Sequence, residues 1–289
     1  MWGVIVSVFS VVGLFCFSLL MFGANGLSFF WLFLELATLC VIPLFFCLGD
    51  DDSVLSGLFN YIVVSSISSS LLLCGILSGE LLYLLVLGLL LKFGLFPLWG
   101  WVYKVFLGSN WVVIWSISTF LKSPVFFFPF LLSCGGYDLV SYICCLTFIG
   151  LGVLFWLYSF SWYACWCHMM LSSSAALVVM SFFLSSEVLA FIFFIYFVWS
   201  SGVVYFFYTY DDFMLGGVGY YFWFCFLLVS MPVSFSIFYK LVMAVGVFSC
   251  GFLIVSCWVL YSISEQFYLL KFLMSYVLPK SSGGFVLSV

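Results

Sequence analysis

The sequence contains no arginine and few charged side chains of any kind, since ten acids and six lysines make up only 6% of its 289 residues. It also has a single histidine and a single glutamine, whereas 67% of its residues are hydrophobic. A soluble protein of this size needs far more polar surface. The lack of arginine and the net charge of −4 argue against nucleic-acid binding. This composition predicts a protein embedded in a lipid bilayer.

The residues also offer little material for redox or hydrolytic chemistry. The sequence shows no glycine-rich phosphate loop, nucleophilic triad or haem-ligating histidine pair. The twelve cysteines are scattered through apolar segments, where free cysteine behaves as a small hydrophobic residue, so disulfides are not expected. The run Cys165-Trp166-Cys167-His168 has no second matched pair of ligands, and we predict no metal site. Conduction or energy coupling remains as the expected activity.

Apolar runs between short polar connections predict about ten transmembrane helices, because each run has about the 20 residues that cross a bilayer. The predicted spans are residues 2–22, 27–48, 54–77, 81–107, 111–134, 139–158, 165–184, 188–208, 218–245 and 246–264. The stretch 267–278 is too short to cross comfortably. No connection is long enough to separate domains, so residues 1–289 are expected to form a single all-α, polytopic transmembrane helix bundle.

With ten spans, Lys104, Lys271 and Lys280 fall on the side of the N-terminus. The positive-inside rule then places both termini in the matrix if the membrane is mitochondrial. The abundance of Phe, Trp, Tyr and Cys follows codons rich in T and G, which is typical of a small, strand-biased mitochondrial genome. We therefore expect a multi-pass protein of the mitochondrial inner membrane.

Most of the acids are predicted to lie at helix ends or in loops, where water can reach them. These are Asp50, Asp51, Asp52, Glu80, Asp138, Glu187, Asp211, Asp212 and Glu265. The exceptions within predicted spans are Glu35 and three lysines, Lys92, Lys122 and Lys240. Each costs about 2.5–3.5 kcal/mol at the bilayer centre unless it is paired, hydrated or neutralised. Four such groups in so apolar a chain indicate a path for protons or ions.

Each of these four ionisable residues has a proline near it in the sequence. Glu35, Lys92, Lys122 and Lys240 are accompanied by Pro43, Pro97, Pro124 and Pro232. Proline removes a backbone donor and frees carbonyl groups that can hold water or an ion beside a charge. Broken helices are therefore predicted near Pro97 and Pro232.

Two readings compete with a proton path. The buried charges could instead fix helices together through ion pairs, or reach the membrane interface, as Lys104 near a helix end would. The chain could also be a stand-alone secondary transporter with Glu35 and the lysines as its substrate or ion site. The serine-rich stretch 65–70 could line a wet path, but we predict that it serves close helix packing.

The most specific motif runs from Leu89 to Pro97, which reads Leu-Leu-Leu-Lys-Phe-Gly-Leu-Phe-Pro and is followed by Trp101-Val102. It resembles the Leu-Leu-Lys-x-Gly-x-x-Pro-x-x-x-Trp-Val segment of subunit 2 of mitochondrial NADH:ubiquinone oxidoreductase. That subunit belongs to the antiporter-like subunits of respiratory complex I. The divergent, T-rich form found in nematodes is the nearest in character.

Three further segments are similar to the same family in order and spacing. Leu34-Glu35 with Pro43 downstream resembles the helix that bears its glutamate. The segment Phe120-Leu121-Lys122-Ser123-Pro124 resembles its Gln-Lys-x-x-Pro segment, and Met231-Pro232 with Phe238-Tyr239-Lys240 resembles its broken helix near the C-terminus. The chain departs from the pattern at Trp99, where the family usually has histidine, at Lys104, where it often has glutamate, and at Pro232, where it has paired prolines.

The resemblance implies an antiporter-like fold and a place in the membrane arm of complex I. It implies that Glu35 and Lys92 form a switching pair, Lys122 is the central relay, and Lys240 is the exit or the link to a neighbouring subunit. The expected partners are other membrane-arm subunits and the lipid bilayer, including cardiolipin, with no nucleic acid. This chain would bind no cofactor, because FMN, the iron–sulfur clusters and ubiquinone belong elsewhere in the complex. Subunits 4 and 5 of the same complex fit less well, by motif and by length.

Overall fold

The computed structural model of the protein describes residues 2–24, 26–47, 52–78, 82–128, 137–210 and 218–277. These ranges form twelve α-helices and one 3₁₀ segment. In chain order they are α1 (Trp2–Phe22), α2 (Leu27–Phe45), α3 (Asp52–Ser78), α4 (Leu82–Phe93), α5 (Gly100–Gly108), α6 (Trp111–Thr119), the 3₁₀ segment (Phe120–Phe127), α7 (Tyr137–Leu157), α8 (Trp162–Ser181), α9 (Ser186–Thr209), α10 (Val218–Leu227), α11 (Phe235–Phe248) and α12 (Phe252–Val277).

Seven of these helices are long and apolar enough to cross a bilayer without interruption: α1, α2, α3, α7, α8, α9 and α12. Three further crossings are interrupted, and consist of α4 with α5, α6 with the 3₁₀ segment, and α10 with α11. Both members of the first pair pack along α3, and both members of the last pack along α9, as successive halves of one crossing do. The prediction of a polytopic helix bundle with about ten spans is confirmed.

The bounds of the uninterrupted spans before residue 210 agree with the prediction to within three residues. Residues 129–134 of the predicted span 111–134 lie outside the described residues, as do several charged residues that were predicted to be peripheral. Those are Asp50, Asp51, Glu80, Asp211, Asp212 and Lys280. Asp138 and Glu187 lie in the first turns of α7 and α9, where the helix dipole favours an acid.

The last predicted span, 246–264, is wrong at both ends. A single helix of 26 residues, α12, begins at Phe252 and continues to Val277, so the stretch 267–278 is no separate short segment. The short run Ser262 to Gln266, which is mostly polar, predicts a helix end in the sequence. In the structure it lies in the middle of α12, because its side chains bond to neighbouring helices and do not need water.

The first predicted break lies between α4 and α5, close to Pro97. Gly94 follows the last residue of α4 with a φ of 66°, and a Cβ atom at this position would collide with Val102, so only glycine fits. The indole of Trp101 donates a 3.0 Å hydrogen bond to the carbonyl of Leu91, which also accepts from the backbone N–H of Gly94 at 3.1 Å. The break therefore ends α4 within the bundle and leaves Lys92 in its last turn.

The second predicted break lies between α10 and α11, close to Pro232. The Ser234 side chain caps α11 by accepting from the backbone of Ile237 at 3.1 Å. Across the break, Gln266 of α12 accepts from the backbone N–H of Ser230 at 2.8 Å. Trp199 donates to the carbonyl of Leu227 at 2.9 Å. Side chains of other helices thus satisfy the backbone groups that the break frees, as a membrane interior requires.

Helix α8 occupies the centre of the bundle and is buried along almost its whole length. Its sequence contains the run Ser172 to Ala176, whose small side chains let neighbouring helices approach closely. It packs against α4, α5, α7, α9, α11 and the 3₁₀ segment. All three interrupted crossings therefore reach this central helix.

Candidate functional site

Lys122 lies in the 3₁₀ segment and is only 2% exposed. Its Nζ atom donates three hydrogen bonds, to the backbone carbonyl of Met170 at 2.9 Å, to Ser173 Oγ at 2.6 Å and to Tyr196 Oη at 2.7 Å. The same atom lies 4.2 Å from the centre of the Tyr196 ring. Pro124 cannot donate a backbone hydrogen bond, which suits the irregular helix that carries Lys122.

The hydrogen bonds around Lys122 fit its ammonium form. Ser173 donates its hydroxyl proton to the Met170 carbonyl at 2.7 Å, and Tyr196 donates to the Ser118 carbonyl at 2.8 Å. Both hydroxyls are thus left as acceptors, and an ammonium has three donors to fill the three acceptors. Three neutral oxygens therefore hold this charge, and none of them belongs to a carboxylate.

Lys92 and Glu35 do not form a salt bridge, since no nitrogen–oxygen distance between them is within 4.0 Å. Lys92 Nζ and Glu35 Oε2 are both buried and have no hydrogen-bond partner among the described residues. Lys92 lies in the last turn of α4, where the helix dipole favours a cation. The two residues of the predicted switching pair are thus not held by an ion pair with each other.

A cavity of about 30 Å³ connects Lys92 with Lys122, since both line it. Hydroxyl groups make up much of its polar wall, contributed by Thr38, Tyr61, Ser65, Ser68 and Ser174. A water molecule needs about 10–15 Å³ of such volume and two to four polar partners, so about two waters fit here.

The serine-rich stretch 65–70, for which the sequence analysis favours close helix packing, also lines this cavity. Ser68 bonds to the carbonyl of Ser65 within α3, and Ser69 accepts from the indole of Trp31 at 3.2 Å, which serves packing. Ser65 and Ser68 nevertheless also line the cavity between Lys92 and Lys122.

Aromatic rings connect Lys122 with Lys240. The ring of Tyr196, which binds Lys122, lies 6.0 Å from the ring of Tyr239, the residue that precedes Lys240. Tyr239 in turn stacks on Trp199 at 4.2 Å with the planes 10° apart. A cavity thus lies between Lys92 and Lys122, and two tyrosine rings lead from Lys122 to the turn of α11 that carries Lys240.

Lys240 has an acidic partner that the sequence analysis missed. Its Nζ atom lies 2.7 Å from Glu265 Oε1, and this is the one ion pair among the described residues. Glu265 is only 5% exposed and lies in the middle of α12, so the prediction that it is a solvated acid at a helix end is wrong. Polar neighbours offset the cost of burying this carboxylate, and one of them is Gln266, which donates to Glu265 Oε1 at 3.3 Å.

Two residues of the site, Tyr196 and Glu265, were not predicted from the sequence. Tyr196 reaches Lys122 from 74 residues away and does not stand out in an apolar helix. Ser173, which is 51 residues from Lys122, belongs to a serine pair that is similar to serines of the family named above. Glu265 had one signal, namely that 252–277 is a continuous stretch of spanning length with this acid at its centre.

The fold is shared with a chain of a known complex. One chain in the structure of respiratory complex I from Thermus thermophilus with bound aureothin superimposes with a TM-score of 0.75, over 94% of this chain and 70% of that chain. The two sequences are 16% identical, so the likeness shows the fold alone. No protein-family model and no curated protein matches the sequence. The chain is a multi-pass membrane protein with the fold of a complex I chain.

Proposed function

We propose that this protein is an antiporter-like membrane-arm subunit of respiratory complex I, which couples NADH:ubiquinone oxidoreduction to proton translocation through Glu35, Lys92, Lys122 and Lys240. The observation that carries the proposal is the series of buried polar groups from Lys92 to Lys122 and from Lys122 to the turn of α11 that carries Lys240. A hydratable cavity joins Lys92 to Lys122, and Tyr196 and Tyr239 lie between Lys122 and Lys240. The shared fold and the motifs support the same function.

The switch lies at Glu35 and Lys92. When the carboxylate moves toward Lys92, it stabilises the ammonium, and when it moves away, Lys92 holds its proton less strongly. Lys92 Nζ and Glu35 Oε2 form no hydrogen bond with the described residues, so this movement breaks no hydrogen bond at either atom. A proton that leaves Lys92 enters the cavity that Lys122 also lines.

Lys122 is the central relay. Its ammonium is fully hydrogen-bonded, so loss of a proton leaves one acceptor without a donor. Tyr196 can meet this change by turning its hydroxyl proton from the Ser118 carbonyl to the neutral amine. Lys240 and Glu265 lie beyond Tyr239 and serve as the exit, or as the link to a neighbouring subunit.

The sequence motifs favour subunit 2 of the complex, in a nematode-like form, located in the mitochondrial inner membrane. The partners are the other membrane-arm subunits and the lipids of that membrane. Lys271 is exposed and lies 5.6 Å from the ring of Trp156, a suitable place for an anionic lipid such as cardiolipin. The chain itself would bind no redox cofactor, while FMN, iron–sulfur clusters and ubiquinone act elsewhere in the complex.

One observation favours the purely structural alternative, namely the close ion pair of Lys240 and Glu265. Lys122 does not fit that alternative, because its charge is held by neutral acceptors and not by a carboxylate. A stand-alone transporter fits less well, since the cavity between Lys92 and Lys122 has room for about two waters only.

Two measurements test the proposal. Solubilised in mild detergent, the protein should migrate within a very large assembly, and migration near its own 32.8 kDa would favour a stand-alone transporter. In vesicles that contain the purified complex, Lys92→Met and Glu35→Gln should lower the number of protons moved per NADH oxidised while the complex still assembles. A normal ratio in both variants would refute the proposal.

A further inference from the structure

A buried histidine lies outside the line from Glu35 to Lys240. His168 of α8 is 0% exposed, and its Nδ1 atom lies 2.6 Å from Tyr103 Oη. Its Nε2 atom has no hydrogen-bond partner among the described residues, whichever tautomer is present. An imidazole can take up a proton at one nitrogen and release one from the other, and a buried polar atom without a hydrogen-bond partner is rare enough to need an explanation.

Tyr261 joins this histidine to the ion pair of Lys240. The Tyr261 hydroxyl donates to the backbone carbonyl of His168 at 3.4 Å. Ser172 is one helical turn from His168, on the same side of α8, and Tyr261 is one turn from Glu265 on α12. Polar groups thus extend from Lys240 through Glu265 and Tyr261 to the turn of α8 that carries His168.

The other end of this series approaches the membrane surface. The ring of Tyr103 lies 5.8 Å from the ring of Tyr158, which is 42% exposed and belongs to the connection between α7 and α8. The Tyr268 hydroxyl of α12 bonds to the backbone of the same connection, at Ser159, over 2.6 Å. Because the spans cross the membrane alternately, this connection lies on the face from which α1 starts.

We propose that Tyr103, His168, Tyr261 and Glu265 form a second proton-transfer branch, which joins the Lys240 site to the membrane face on which the chain begins. The proposal rests on the proposed function and adds to it. It assigns the buried histidine and the unexpected glutamate a common role. It also gives the Lys240 end of the line its own access to the face near Tyr158, independent of Lys92 and Lys122.

The proton balance of this branch is simple. His168 takes a proton at Nδ1 from the Tyr103 hydroxyl, which regains one from the side of Tyr158. The imidazole releases the proton of Nε2, which passes through the hydroxyls of Ser172 and Tyr261 to the Glu265 carboxylate. Glu265 is then neutral, and Lys240 is left as an unpaired buried ammonium, which favours the loss of its own proton. One proton enters the pair and one leaves it, so the pair is electrically neutral before and after the transfer.

Two conservative variants test the branch in the assembled complex. Tyr261→Phe removes only a hydroxyl, and His168→Gln keeps a polar side chain that cannot carry a proton. The matched control is Tyr268→Phe, which removes a hydroxyl two turns along the same face of α12, where it bonds only to a backbone carbonyl. The readout is the number of protons moved per NADH oxidised, in vesicles that contain equal amounts of assembled complex.

The proposal expects a lower ratio in both Tyr261→Phe and His168→Gln, and an unchanged ratio in Tyr268→Phe. A normal ratio in Tyr261→Phe and His168→Gln would overturn it, as would an equal loss in the control. Lys122→Met, measured in the same assay, distinguishes failure of the branch from failure of the proposed function. If Lys122→Met lowers the ratio and the two branch variants do not, the branch alone is refuted, whereas normal ratios in all of them refute the proposed function as well.

Discussion

Removal of one partner of the Lys240–Glu265 ion pair should destabilise the assembled protein, and removal of both should restore most of the loss. At 2.7 Å the attraction of two unit charges is about 6 kcal/mol for an effective dielectric constant of about 20. Much of this gain offsets the desolvation of the two groups, whose side chains are only 13% and 7% exposed. The pair therefore contributes little net stability, but each member depends on the other.

The single variants Glu265→Gln and Lys240→Met each leave an uncompensated buried charge, for which a loss of about 3–5 kcal/mol is typical. The double variant leaves no buried charge and should lie within about 1 kcal/mol of the parent, since a buried ion pair can often be replaced by neutral groups at little cost. The interaction free energy from this double-mutant cycle should therefore be several kcal/mol.

The assay is thermal unfolding of the purified complex, followed for the parent, both single variants and the double variant. We expect low melting midpoints for the single variants and recovery in the double variant. Asp138→Asn is the control, because this exposed acid lies in the first turn of α7 and its charge should change the midpoint little. If the losses of the two single variants simply add in the double variant, the reasoning about the pair is wrong.

Two further outcomes follow from the structure. Tyr196→Phe should leave one donor of Lys122 without an acceptor and lower stability by about 1–3 kcal/mol, seen as a lower melting midpoint, whereas Tyr205→Phe on the exposed side of α9 should not. Gly94→Ala should abolish assembly in native gels, because its φ of 66° and its contact with the next helix exclude a Cβ atom, whereas Gly100→Ala, with open space around it, should assemble normally.

The bundle and the location of its breaks could be predicted from the sequence because the signals are local. Spanning length is set by bilayer thickness, so apolar runs translate directly into crossings. Gly94 and Pro97 mark the first interruption and Pro232 marks the second, because glycine and proline alter the backbone at their own positions. Buried charges in so apolar a chain stand out for the same reason.

The surroundings of the charges could not be predicted, because they are formed by residues far apart in the chain. The acceptors of Lys122 come from α8 and α9, and a serine or tyrosine in an apolar helix has many ordinary roles. Glu265 was misplaced because a short polar run reads as a helix end. Only the packing of α12 against its neighbours shows that Ser264, Glu265 and Gln266 find their partners inside the protein.

The role of Lys122 as proton relay is decided by the number of protons moved per NADH oxidised in Lys122→Met. Methionine removes the charge but leaves no buried donor unsatisfied, because Ser173 and Tyr196 keep their own hydrogen bonds to backbone carbonyls. Lys104→Met, which removes an exposed lysine, is the matched control. We predict normal assembly in both variants and a lower ratio in Lys122→Met alone. Failure of Lys122→Met to assemble, or an unchanged ratio in the assembled complex, would contradict a relay at this position.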